Sequence, residues 1–152
     1  MLQLDVLKYQ DRLDIKIEGD ERWIRDPFRK KWLVLQPEEF VRQLMVLFLI
    51  HELNYNPNRI LVEQELIYNE EVVWRFDLMV LAPDLTPWML VECKAPEVPL
   101  DQKVIDQVAR YNISLKVPYV LVTSGRLHYC WSLDHANNSF ELLSGMPAYP
   151  AK

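Results

Sequence analysis

The 152-residue sequence is short of several things, and each shortage closes off a class of function. It has three glycines, and none sits in a GxGxxG, P-loop or nucleophile-elbow arrangement, so the chain lacks the loops that nucleotide-hydrolysing folds use to cradle phosphates. Its two cysteines, Cys93 and Cys130, fall far apart within apparent strands at no zinc or CxxC spacing, and they read as buried free thiols. His51, His128 and His135 share no spacing that suggests a ligand set or a triad. The longest apolar run, LMVLFLI at 44–50, is far below the roughly 20 residues a membrane span needs. The start, MLQLDVLKYQ, has neither a basic region nor a long apolar one, so a cytoplasmic protein with no membrane association is expected. An excess of positive charge is also missing. A net charge of −5 argues against coating nucleic acid by bulk electrostatics, while leaving room for a local basic face.

Half of the residues are hydrophobic, enough for one core without disulfide or metal staples, and no repeat, low-complexity tract or linker interrupts the chain. A single domain over 1–152 is expected, with an N-terminal part at 1–36, a core at 37–124 and peripheral strands and tail at 125–152. LDIKIEGDERWI (13–24) alternates polar and apolar residues around Gly19-Asp20 and predicts a hairpin, leading into the basic loop RDPFRKKW (25–32). Both read as a peripheral appendage, the loop being either solvated or a phosphate contact. PEEFVRQLMVLFLIHELN (37–54) opens with Pro37 and two glutamates, which suit a helix's first turn, and becomes apolar nearly all round, predicting a core helix.

Two segments rich in β-branched and aromatic residues follow, RILVEQELIYN (59–69) and VVWRFDLMVLA (72–82). After the turn PDLTP comes a third, WMLVECKA (88–95). LDQKVIDQVARYNISLK (100–116) carries Val104, Ile105, Val108, Ala109 and Asn112 at helical spacing, and Pro118 opens the apolar strand YVLVTS. RLHYCWSLD and SFELL predict further strands at the sheet edge. The predicted class is α/β, in the order α, β, β, β, α, β across 37–124, with a right-handed crossover closing it.

The strand at 88–95 holds the chemical puzzle. Residues two apart share a face, so Leu90, Glu92 and Lys94 point one way while Met89, Val91 and Cys93 point the other. If this strand pairs with its predecessor across PDLTP, Asp77 comes near Glu92. Two adjacent carboxylates repel unless a cation lies between them, and a hard divalent ion such as Mg²⁺ resolves the conflict, with the Cys93 carbonyl and waters as further oxygen ligands. The bland alternative is an exposed charge ladder, with Asp77 paired to Arg75. Gln107, Arg110 and Tyr111 stand at i, i+3 and i+4 and form one helical patch, in which Tyr111 is either a stacking residue or a core aromatic with a wet hydroxyl.

Asp77, then Glu92-Cys93-Lys94, on consecutive strands in this element order, resembles the PD-(D/E)XK nuclease superfamily. RFDLMV, MLVECKAP and QVARY together resemble the nuclease domain at the N-terminus of type I restriction enzyme R subunits, whose glutamine-x-x-x-tyrosine motif matches Gln107 and Tyr111. The resemblance implies a restriction-endonuclease-like core with a mixed central sheet flanked by helices, and Mg²⁺-dependent cleavage of DNA, Mn²⁺ serving as a substitute. Asp77 and Glu92 would hold the metal and Lys94 would be the catalytic amine, assisted by Gln107. Glu39 is a further metal residue through water or else a favourable charge in the first turn. Lys103, Arg110, Tyr111, Arg29 and Lys30 would meet nucleic acid.

Phe76 stands where such nucleases often have proline. R subunits continue into a helicase-type motor that is not in this sequence, so the domain is expected to act alone or beside a translocase or another restriction subunit, with a homodimer as one route to double-strand breaks. A module of nuclease fold that binds DNA or a partner without cutting is the alternative, and structured or single-stranded nucleic acid is an alternative substrate.

Overall fold

The computed structural model describes the backbone of residues 1–68 and 70–151, and their side chains outside 65–68, 71–74 and 109–115. The described residues form two sheets and two principal helices. The first sheet is a meander of β1 (Ile15–Glu18), β2 (Glu21–Asp26) and β3 (Lys31–Val34). The second has six strands in sequence order: β4 (Ile60–Tyr68), β5 (Glu71–Leu81), β6 (Pro87–Cys93), β7 (Tyr119–Thr123), β8 (His128–Asp134) and β9 (Ser139–Leu142). All of its neighbours run antiparallel except β6 and β7, which are parallel because the helix α2 (Gln102–Leu115) connects them. With α1 (Pro37–Leu47) ahead of β4, the order α, β, β, β, α, β is the one the patterning predicts, now within a six-stranded mixed sheet.

The helices cover opposite faces of this sheet, which explains the near-continuous apolar reading of β6 and β7. On one face Val41, Leu44, Met45, Phe48 and Leu49 pack with Leu78, Val80, Met89, Val91 and Cys93. On the other, Val104 and Val108 of α2 pack with Met79, Leu90, Val120 and Val122. The α1 segment starts at Pro37 with Glu38 and Glu39 in its first turn and loosens into a π turn at Phe48–Glu52. It ends where Asn54 takes a left-handed conformation, φ 57°. Gly125, at φ 87°, follows β7, and a Cβ there would stand 3.3 Å from Val41, so this turn lets the first half of α1 lie close against the end of β7. Among the described residues no helix is long and apolar enough to cross a membrane.

The N-terminal region corrects the expectation of a hairpin appendage followed by a loop. Lys31–Val34 is a third strand paired with β2, and the basic segment is the turn between them. Ile24 is completely buried and Asp26 is 2 % exposed, with the Asp26 carboxylate accepting from the Phe28 N–H at 2.8 Å. The alternation was legible. What it could not reveal is that the turn folds inward, which takes a buried acceptor and the long-range partners described below.

Truncating a fully buried branched side chain costs about 2–5 kcal/mol. Ile24→Ala is therefore expected to lower the unfolding free energy by about 2–4 kcal/mol in urea titrations. A loss under about 1 kcal/mol would return the N-terminal sheet to the status of an appendage.

Candidate active site

The central feature is a fork between two strands. β5 and β6 pair from Leu81↔Pro87 to Leu78↔Val91. The next residues along each strand are Asp77 and Glu92, and here Asp77 turns its side chain into the opening: Oδ2 accepts the Cys93 N–H at 2.8 Å. Beyond the fork, Lys94 leaves β6 with its own N–H bonded to the Thr123 carbonyl of β7 at 2.8 Å. Asp77 and Glu92 are 8 % and 6 % exposed. The pairing across PDLTP thus brings together the two carboxylates that the strand pattern pointed to, and buries them.

Asp77 takes its second partner from α1. Arg42, 5 % exposed, donates from Nη2 to Asp77 Oδ1 at 2.8 Å and from Nη1 to Glu39 Oε1 at 2.7 Å. Glu39 also accepts from Arg29 Nη2 at 2.5 Å, and Arg29 is held in addition by Asp26 and Glu63. The basic turn therefore closes over α1 as an ion-pair network. Glu63, at φ 41°, interrupts the β4 ladder between Val62↔Leu78 and Gln64↔Phe76, directly across from Asp77. Such a conformation is costly for a residue with a Cβ. Its carboxylate lies 3.6 Å from Arg42 Nη1 as well as against Arg29.

The electrostatics follow from burial. Desolvation, and then the charge and hydrogen bond of Asp77, push the Glu92 carboxyl up to about 8, while Lys94 opposes the rise. Glu38 is raised for the same leading reasons, burial and the Asp77 charge, with Arg42 and Lys94 opposing. Burial works against the charge of Arg42, but Asp77, Glu39 and Glu63 outweigh it and hold the guanidinium more firmly protonated than usual. Among the described residues Glu92 Oε1 is buried without a hydrogen-bond partner. A buried acceptor in that state is expensive, and it marks the place where a further donor or cation belongs.

The other predicted residues fall into distinct places. Lys94 is half-buried at the mouth of the fork, close enough to influence both Glu92 and Glu38. Cys93 sends its thiol, fully buried, into the α1-side core and offers its backbone to the fork. Gln107 is half-buried on α2, the helix over the face that carries Leu90. Lys103 and Lys30 are exposed. Arg29 is engaged by three carboxylates and does not present a free charge outward. Glu39 faces the arginines, whereas Glu38 is exposed, lies 3.4 Å from Arg42 Nη2 and feels the charges of Asp77 and Lys94. The side chains of Arg110 and Tyr111 lie outside the described ones.

Sequence reasoning passed over Arg42 and Glu38. A signal was there: Arg42 sits between Val41 and Leu44 on the apolar stripe of α1, where a cation is out of place unless it meets buried acids.

Among the described residues no group of three or more His, Cys, Asp and Glu side chains converges as a metal site. The pair itself fits a hard divalent ion: Asp77 and Glu92 supply carboxylate oxygens on adjoining strands, and Glu92 Oε1 is an acceptor lacking a partner among the described residues. Asp77 and Glu92 would hold the ion, with Glu38 at the edge and Arg42 as the cation already present on Asp77.

Because the Glu92 carboxyl binds its proton more tightly folded than unfolded, its contribution to stability is full below the ordinary carboxylate range. That contribution is lost as pH rises through about 8. The melting temperature of the metal-free protein should accordingly fall between pH 6 and 9, and Glu92→Gln should flatten that fall. Parallel curves for the two proteins would show that Glu92 is ionised throughout.

Comparison with known proteins places this geometry in context. The family model for the type I restriction enzyme R protein N terminus (HSDR_N) matches residues 37–147. No curated protein matches the chain. A solved fragment described as an HsdR subunit of a type I restriction enzyme from Vibrio vulnificus YJ016 is similar in fold, with a TM-score of 0.51 and 21 % identity. The match covers 75 % of this chain and 24 % of that one, so the present sequence spans a small part of that protein's length. With fork, helices and mixed sheet contained in the matched region, the chain belongs to the family of type I restriction enzyme R protein N termini.

Proposed function

We propose that this chain is a Mg²⁺-dependent endonuclease domain that hydrolyses DNA phosphodiester bonds, with Mn²⁺ able to replace Mg²⁺. It would be built on a restriction-endonuclease-like PD-(D/E)XK core and work in the cytoplasm within a type I restriction assembly, beside a translocating subunit or motor. The observation that carries this reading is the fork: two buried carboxylates, Asp77 and Glu92, meet where β5 and β6 part, with the Lys94 side chain at the mouth. The element order and the family membership support it.

When bound, a divalent ion supplies acidification of a water and neutralisation of charge on the phosphate. The protein's part is positioning. Asp77 is fixed by the Cys93 N–H, so its carboxylate cannot rotate freely. Glu92, on the same strand as that N–H, is held relative to it by the β6–β7 pairing Glu92↔Val122. Lys94 brings an ammonium to the place where negative charge develops on the phosphate and leaving oxygen, and its N–H bond to Thr123 fixes the backbone from which it projects. Gln107, on α2, would steady Lys94 or the nucleic acid. Lys103, Lys30, Arg110 and Tyr111 are proposed for contacts to the strand, and Arg29 only after release from its carboxylates.

A second reading is a nuclease-fold module that binds nucleic acid or a partner subunit without cutting. The observation in its favour is Arg42, which already neutralises Asp77.

Cleavage of supercoiled plasmid and single-stranded circles with Mg²⁺ or Mn²⁺ separates the two. The parent should nick, and Lys94→Ala should lower the rate about 10²-fold or more while DNA binding is kept. A rise in melting temperature on adding Mn²⁺ should disappear in Asp77→Ala and Glu92→Ala. Binding without cleavage by the parent, in either metal, would favour the silent module.

A further inference from the structure

We propose that Arg42 is the resident counter-ion of the fork: it holds Asp77 in place while no divalent ion is bound, and it competes with that ion for Asp77 Oδ1. The inference rests on the metal-site reading above and adds to it a positioning residue that tunes ion affinity.

The two oxygens of Asp77 are not held alike. Oδ2 is bound by a main-chain N–H, that of Cys93, and freeing it would require β6 to move. Oδ1 is bound by a side chain, Arg42 Nη2 at 2.8 Å, which can withdraw. A divalent ion shared by Asp77 and Glu92 would sit beside that guanidinium, and two cations within a few ångströms in a buried site repel strongly. One of them must yield.

Arg42 is built to yield without being stranded. Nη1 stays on Glu39 Oε1 at 2.7 Å, Glu63 Oε2 lies 3.6 Å from the same nitrogen, and Glu38 Oε1 lies 3.4 Å from Nη2. Losing Asp77 therefore leaves the guanidinium paired. Room exists as well. A cavity of about 240 Å³ between α1 and the β2–β3 turn is lined by Arg42, Gln43 and Val46 on one side and by Asp26 and Phe28 on the other. The Arg42 Nε is buried without a partner among the described residues, so the side chain is not locked along its whole length. The Arg29 network fixes Glu39 from above, so the anchor that Arg42 keeps does not move with it.

The test is Mn²⁺ titration by calorimetry and by thermal shift on the parent, Arg42→Gln and Arg42→Lys, with Asp77→Ala as the control. Arg42→Gln should melt lower than the parent without ion, yet bind Mn²⁺ about tenfold more tightly. By reciprocity, the gap in melting temperature between parent and variant should narrow at saturating Mn²⁺. Arg42→Lys keeps a charge but not the two-armed reach, and it should fold where Arg42→Gln is too unstable, with a smaller gain in affinity. A merely structural arginine predicts the opposite, weaker or unchanged binding in a less stable protein. If the parent binds Mn²⁺ through Asp77 and neither variant binds more tightly, this inference falls and the metal site stands. If neither the parent nor either variant binds, the metal site and the inference fall together.

Discussion

Everything around the fork depends on one constraint: Asp77 and Glu92 are like charges held together out of water. Burying either carboxylate alone is costly, and burying two side by side is possible only if one keeps its proton or a cation is brought in. The protein does both. Glu92 is pushed up to about 8, and Arg42 reaches Asp77 from α1. The site therefore carries a strongly perturbed carboxyl, a state found at functional sites and also within structural ion-pair networks.

That constraint reaches well beyond the two strands. Arg42 needs acids of its own once buried, and Glu39 and Glu63 supply them; Glu39 and Glu63 in turn hold Arg29, whose other partner is the buried Asp26. A chain of alternating charges thus runs from the N-terminal sheet to the centre of the large one. Buried pairs of this kind add little net stability over apolar packing, but removing one partner strands the other. The N-terminal sheet is consequently tied to the site, and the left-handed Glu63 is a local cost accepted within the same network.

How much of this was legible can be judged from particular residues. Pro37 with two glutamates, the alternation through β4 to β6, and the helical spacing of Val104 and Val108 each express a local rule, and the elements formed where those rules put them. The approach of Asp77 to Glu92 was legible because the short PDLTP turn allows only one kind of pairing. The pairing of Arg29 was not legible. A run of basic residues looks the same whether it faces solvent or folds onto Glu39 and Glu63, which lie 10 and 34 residues away. Glu38 and Glu39 were separable only by helix rotation, since neighbours on a helix point about 100° apart and the sequence gives no absolute phase to better than that.

The sequence by itself determined the elements, their order and the placement of Asp77 and Glu92 on adjoining strands, because periodicity and turn chemistry act over a few residues at a time. Tertiary structure decided which cation answers those acids, which glutamate of α1 is buried against the arginines, and that Arg29 of the basic turn is held by ion pairs. These depend on where distant segments come to rest, and charge pairs over such distances carry no local imprint. Arg42 belongs to both accounts: its place on an apolar helix stripe was written in the sequence, and its meaning appeared only when α1 lay across the opening between β5 and β6.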